Sequence, residues 1–149
     1  MTNMEYYVGE VKLSYHKKSL ETRFARNAVE AYTLLRSTYS DEDIEYRESF
    51  KLLLMNNNFK VLGWTTISIG GITETAADIR MILQSALLCN ATCILVCHNH
   101  PSGRLSPSRE DDQLTERISK ACDVMRIYFM DHLIITDDSY FSYRETGRI

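Results

Sequence analysis

Proline is nearly absent from this chain. Only Pro101 and Pro107 occur in 149 residues, and both fall in one short segment. Stiff residues concentrated there mark that segment as a special loop. Long apolar runs are missing too. The longest, such as Ile94 to Cys97 and Leu52 to Met55, fall far short of the ~20 residues a helix needs to cross a bilayer, so no membrane contact is expected. The four cysteines, Cys89, Cys93, Cys97 and Cys122, form no C-x-x-C pair. Met1 to Glu10 has no basic start followed by an apolar stretch. Neither a disulfide framework nor a secretory leader is expected, and a cytoplasmic location with reduced thiols follows. An excess of positive charge is also lacking. The net charge is −3 and the isoelectric point about 5.8, which counts against direct binding to a nucleic-acid duplex. The basic clusters at His16-Lys17-Lys18 and at Arg23 and Arg26 read as solvated surface.

What remains is the composition of one ordinary domain over residues 1–149, with 44% hydrophobic and 25% charged residues and no repeat or long linker. Such a length buries roughly two thirds of the unfolded surface without covalent staples. Tyr6 to Tyr15 predicts a strand. Arg23 to Thr38 predicts a helix, with Phe24, Ala28, Ala31, Tyr32 and Leu35 on one face. Ser40 to Tyr46 is an acidic loop or short helical turn. Ser49 to Met55 and Val61 to Ile69 predict a hairpin around the turn residues Asn56-Asn57-Asn58, ended by Gly70-Gly71. Thr75 to Leu88 predicts a second helix. Ala91 to Cys97, seven apolar residues in a row, predicts a buried central strand. Within it Cys93, Leu95 and Cys97 alternate as small hydrophobes. Ser108 to Met125 predicts a third helix, and Ile127 to Thr136 and Tyr140 to Tyr143 a final pair of strands. The fold class is α/β, a mixed sheet flanked by helices.

The chemistry concentrates in Val96-Cys97-His98-Asn99-His100-Pro101-Ser102-Gly103 and Pro107-Ser108-Arg109-Glu110-Asp111. His98 and His100, at i and i+2 of an extended chain, turn their rings the same way, and Pro101 keeps His100 extended. Asp111 falls in the first turn of the next helix, whose positive end favours a carboxylate. Two nitrogens and one carboxylate oxygen leave one position of a tetrahedral zinc site open, the arrangement of catalytic rather than structural zinc. Water in that position becomes a nucleophile near neutral pH. Glu48 shares strand parity with Phe50, Leu52 and Leu54. It therefore points to an inner face, where an acid needs a partner, and it is the candidate base. Ser108 is placed to donate a hydrogen bond to an oxyanion.

His98-x-His100, seven residues, Ser108, two residues and Asp111, with an upstream Glu48, resembles the JAMM motif of the JAB/MPN metalloprotease fold. The longer runs His98 to Gly103 and Pro107 to Asp111, with Arg47-Glu48-Ser49-Phe50, Ala91 to Cys97 and Asp131-His132-Leu133-Ile134-Ile135, resemble its RadC-like branch. The resemblance covers about two thirds of the chain, residues 45–147. It implies a curved mixed sheet related to the cytidine deaminase fold. It also implies one zinc ion per chain on His98, His100 and Asp111, with Glu48 as general acid/base and Ser108 as oxyanion stabiliser. The implied reaction is cleavage of a peptide or isopeptide bond in a peptide or protein substrate. The branch also carries an association with DNA repair, which implies repair proteins as partners. Nothing in the chain resembles the helix-hairpin-helix segment that precedes this domain in longer relatives.

Other readings of the same residues stand beside these. Ser108 and Asp111 also have the spacing of a helix cap. Asp112, about 100° further round the helix, is an alternative ligand to Asp111. Glu42, Asp43 and Glu45 read as a solvated acidic stretch, and Asp131-His132 as a structural pair in a strand. Cys97 points away from its neighbour His98 and is not expected to share a metal with it. The deaminase pieces H-x-E and P-C-x-x-C are absent. An accessory module in DNA repair or mobile-element processing is the alternative to a hydrolase of amide bonds. Phosphodiester hydrolysis ranks last, because such sites commonly use two metals.

Overall fold

The computed structural model describes residues 9–16, 21–71 and 76–149. These hold four helices, α1 (Ala28–Arg36), α2 (Asp41–Ile44), α3 (Ile79–Leu88) and α4 (Arg109–Met125). They also hold five strands, β1 (Ser49–Met55), β2 (Val61–Ile69), β3 (Cys93–Asn99), β4 (Tyr128–Ile135) and β5 (Tyr140–Ser142). The strands form one sheet in the order β2-β1-β3-β4-β5. β1 runs antiparallel to β2 and β3, β3 runs parallel to β4 through α4, and β5 returns antiparallel on β4.

Side-chain alternation along the central strands divides the core in two. Leu53, Met55, Cys93, Leu95, Cys97, Leu133 and Ile135 face α1 and α2, against Ala31, Leu35, Tyr39 and Ile44. Phe50, Leu52, Leu54, Ile94 and Val96 face α3 and α4, against Ile82, Ala86, Ile118 and Cys122. β3 is buried at every residue, as a strand covered on both faces must be. All four cysteines are free and buried.

Four expectations need correction. Gly9 to Tyr15 forms no strand; Val11 and Leu13 are exposed, so the alternating apolar residues find no sheet to join. Tyr6 to Val8 lie outside the described residues. Residues 23–26 are extended rather than helical. Phe24 bridges Lys60, and Ala25 and Arg23 exchange backbone hydrogen bonds with Phe59 and Val61. The helix starts only where the Asn27 side chain accepts the Glu30 N–H, a strong N-cap. Likewise α3 starts after Asp78, which caps Arg80 N–H; Thr75 lies outside the described residues. Finally, β3 runs two residues past Cys97 and includes His98 and Asn99.

Candidate metal centre

β3 delivers the two histidines. His98, buried and 2% exposed, pairs with Phe50 of β1 and Ile134 of β4, and its ring stacks on Phe50 at 6.1 Å and 9°. His100 follows the strand. Its N–H donates to the Ile135 carbonyl and its carbonyl accepts from Gly103 N–H, closing a tight turn over Pro101 and Ser102. Gly103 takes φ +81 in that turn, where a side chain would be strained. The turn folds the chain back so that the Arg104 carbonyl lies 2.7 Å from His100 Nδ1. A carbonyl only accepts, so Nδ1 carries the proton and Nε2 is left to face the site.

α4 delivers Asp111. Ser108 Oγ accepts the Asp111 N–H at 3.1 Å and Asp111 Oδ2 accepts the Ser108 N–H at 2.8 Å, a reciprocal capping box. The cap is therefore formed, and it also orients the carboxylate. Asp111 Oδ1 lies 3.3 Å from His98 Nε2, Asp111 Oδ2 3.5 Å from His100 Nε2, and the two Nε2 atoms 3.0 Å apart. Ligand atoms on a tetrahedral zinc with bonds of about 2.0–2.2 Å stand about 3.3–3.6 Å from one another. The two separations to Asp111 match that spacing and the Nε2 pair stands slightly closer; the three side chains are the one group able to hold an ion in this way among the described residues.

Burial and the neighbouring charges pull the three groups in different directions. Burial pushes His98 below the usual histidine value, against the pull of Asp111. Burial acts the same way on His100. There the hydrogen bonds to Asp111 and the Arg104 carbonyl and the charges of Asp111 and Glu48 outweigh it, so the net shift is upward. Burial would raise Asp111, yet the two imidazoles and the Ser108 N–H hold it well below the usual carboxylate range.

Glu48 sits just ahead of β1, buried, with the parity of Phe50. Its Oε1 is 4.0 Å from His100 Nε2, so the sequence-derived acid does face the cluster. Its backbone is paired on one side with Gly70 and Gly71. Across the sheet, Asn99 Oδ1 accepts the N–H of Ser49, and Asn99 Nδ2 donates to the carbonyls of Ile44 and Arg47. The rivals Glu42, Asp43 and Glu45 are exposed. Asp112 turns away, accepting from Tyr143 Oη at 2.8 Å and Arg148 Nη1 at 3.2 Å; it ties the chain end to α4 rather than joining the cluster. Cys97 packs on the opposite face of the sheet, 3.8 Å from Tyr39 Oη. Arg23 pairs with the exposed Glu21 and Arg26 covers the Phe24 ring at 4.2 Å, while Lys17 and Lys18 lie outside the described residues.

Residues beyond the motif complete the surroundings. His98 Nδ1 is 2.8 Å from His132 Nε2, and His132 Nδ1 is 2.6 Å from Thr115 Oγ1. Thr115 Oγ1 in turn donates to the Asp111 carbonyl at 2.7 Å. The Asp131-His132 pair divides its work. Asp131 accepts from the N–H groups of His132 and Arg144 and from Ser142 Oγ, which fastens β4 to β5. His132 turns towards the cluster. Nothing in the sequence singled out Thr115. The available signal was its position four residues after Asp111, one helical turn on the same face.

A family model for the RadC-like JAB domain matches residues 25–148. A UPF0758 protein of Streptococcus gordonii is 46% identical over 99 residues, covering 66% of this chain and 44% of that protein. One from Aquifex aeolicus is 36% identical over 138 residues, covering 92% of this chain and 58% of that protein. The chain spans about half the length of these curated relatives. Among the described residues no helix is long and apolar enough to cross a membrane.

Proposed function

The chain belongs to the RadC-like JAB domain family, and from that premise we propose that it is a JAMM-type hydrolase of amide bonds, holding one zinc ion on His98, His100 and Asp111. The observation that supports this is the meeting of three side chains from two separate segments, with the two Nε2 atoms 3.0 Å apart and each within 3.5 Å of an oxygen of Asp111. Zinc bound there would polarise a carbonyl and acidify a water molecule.

The chain's own residues do the rest. Glu48 is held rigidly beside the cluster. It takes the proton of the attacking water and passes it to the leaving nitrogen as the carbon–nitrogen bond breaks, the two halves of general base and general acid catalysis. Ser108 Oγ accepts the Asp111 N–H in the cap and keeps its own O–H for donation, so capping and oxyanion stabilisation are compatible in one side chain. A 570 Å³ groove lies between the end of β2 and α4, with Ile69, Gly70, Glu110, Gln113, Leu114 and Arg117 among its lining residues.

Metal analysis of the purified chain, followed by assays on quenched peptide and isopeptide substrates, tests the proposal. One zinc per chain is expected. Glu48→Gln keeps the zinc and loses hydrolysis by the 10²–10⁴-fold typical of a missing general base; His98→Ala loses both. Equal hydrolysis by the wild type and both variants would sink it.

A further inference from the structure

A ring nitrogen can hold a metal only through a lone pair, so the side of each imidazole that carries the proton matters as much as where the ring sits. For His100 the Arg104 carbonyl decides it. For His98 the neighbour at Nδ1 is another histidine, His132, which can donate or accept, and the choice passes down the chain of contacts. It ends at the Asp111 carbonyl, which can only accept. Thr115 has one hydroxyl proton, and that proton is directed at this carbonyl at 2.7 Å. Thr115 Oγ1 therefore meets His132 Nδ1, 2.6 Å away, as an acceptor, and His132 carries its proton on Nδ1. His132 Nε2 is then the acceptor for His98 Nδ1–H at 2.8 Å. The lone pair of His98 is left at Nε2, facing Asp111 and His100.

We propose that His132 and Thr115 are positioning residues that fix the tautomer of His98, closing a relay that begins at the backbone of one cluster residue and ends at the ring of another. The inference rests on the metal-centre reading above and adds two residues to it. Geometry favours a dedicated relay over incidental packing. His132 is fully buried, held by stacking on Tyr143 at 4.9 Å and 7° and by the edge of Phe50 at 5.7 Å. Its ring cannot flip without breaking both bonds. Thr115 and Asp111 lie one turn apart on α4, so the helix that presents the carboxylate also orients the histidine. With both histidines neutral and carrying their protons at Nδ1, two nitrogen lone pairs and a carboxylate converge with no donor among them, an arrangement that calls for a cation.

The test has two readouts. Long-range proton–nitrogen NMR correlations on metal-free, 15N-histidine-labelled protein at mildly alkaline pH report the tautomer of each ring, with single His→Gln variants for assignment. Zinc affinity is read by chelator competition. The wild type is expected to show Nδ1–H on His98, His100 and His132. Thr115→Val, close in shape to the original, is expected to redistribute the proton on His132 and His98 and to weaken zinc binding 10–100-fold, the usual cost of losing an outer-shell partner. Thr115→Ser is expected to preserve both. His98 protonated on Nε2 in the wild type would overturn the relay, as would a Thr115→Val protein with unchanged tautomers and affinity. If the wild type shows the expected tautomers and takes up no zinc, the metal reading fails and the relay stands. If zinc binds equally to wild type and Thr115→Val, the metal reading stands and the relay falls.

Discussion

Asn99 is the residue whose replacement should cost the fold most for its size. The β1–β3 ladder ends at the Phe50–His98 pair, and beyond it the Asn99 amide replaces the backbone as partner. Its oxygen accepts Ser49 N–H at 2.8 Å and its nitrogen donates to the carbonyls of Ile44 and Arg47, each at 2.9 Å. Asn99→Ala leaves all three groups without those partners. An unsatisfied buried group costs about 1–3 kcal/mol. Arg47 is exposed and Ser49 half-buried, so water recovers part of the loss, and the expected destabilisation is about 3 kcal/mol. With a urea slope of about 1.5 kcal/mol/M, the unfolding midpoint should fall by about 2 M. Asn99→Asp keeps the size and the acceptor for Ser49 but turns acceptor oxygens towards two carbonyls, so it should be no better near neutral pH. The pKa of the new carboxyl would be raised in the fold. Its neutral form then contributes stability that is present below the unfolded value near 3.9 and lost as pH rises, so part of the deficit should be recovered in acid. A midpoint shift below about 0.5 M for Asn99→Ala would refute the idea that this amide holds the Glu48 segment in place.

Ser108→Ala removes the acceptor for Asp111 N–H and should cost about 1 kcal/mol in urea or thermal unfolding, with Ser108→Thr near neutral; an unchanged midpoint for the alanine variant would mean that the cap carries no stability. Thr92 Oγ1 is buried without a hydrogen-bond partner, so Thr92→Val should be neutral or stabilising by up to about 1 kcal/mol, and a clear loss in the same assay would contradict that. Burial raises the thiols of Cys93 and Cys97 to about 12 and that of Cys122 to about 11. Alkylation followed by mass spectrometry should find all three inert in the native protein at pH 8 and reactive in urea. Because the folded values are raised, their contribution to stability is intact below the unfolded thiol value near 8.5 and declines as pH rises towards 12. Rapid native labelling would show that these side chains are reached by solvent.

The parts of the fold that were legible in the sequence are those where pattern and environment coincide. β1 and β2 coincide with the expected Ser49–Met55 and Val61–Ile69 because a short leucine-rich run, buried from Phe50 to Met55, suits a strand covered on both faces, and Asn56 to Asn58 supply the turn. The cluster was legible because its residues sit close together along the chain, with Pro101 and Pro107 marking the loop that folds Asp111 back to the histidines. The segment 23–26 was not legible. Phe24 has the spacing of a helix face, but Arg23, Ala25 and Lys60 draw it into pairing with the hairpin turn, and that competition is tertiary. Asn99 was not legible either. Its type suits a turn or loop, and only the arrival of residues 44–49 beside it, some 50 positions earlier in the chain, gives it work in a buried strand.

His132 shows how far a side chain's role can depend on a single extra residue. The parallel register of β3 and β4 slips by one between Ile94–Phe129 and Leu95–Asp131, leaving Met130 unmatched. Strand side chains alternate between faces, so one unmatched residue inverts the parity of everything after it. Had the register run on from Phe129 without the slip, His132 would have pointed to the α1 face, among Leu95 and Cys97. The slip instead places it on the α4 face beside His98, and by the same inversion puts Leu133 and Ile135 in the opposite core. No periodicity in Tyr128 to Ile135 announces this, because both faces are apolar and a shift of parity exchanges one buried environment for another. The sequence therefore places a histidine in a buried strand without saying which half of the core it serves. The backbone irregularity is what turns a structural histidine into a neighbour of the cluster.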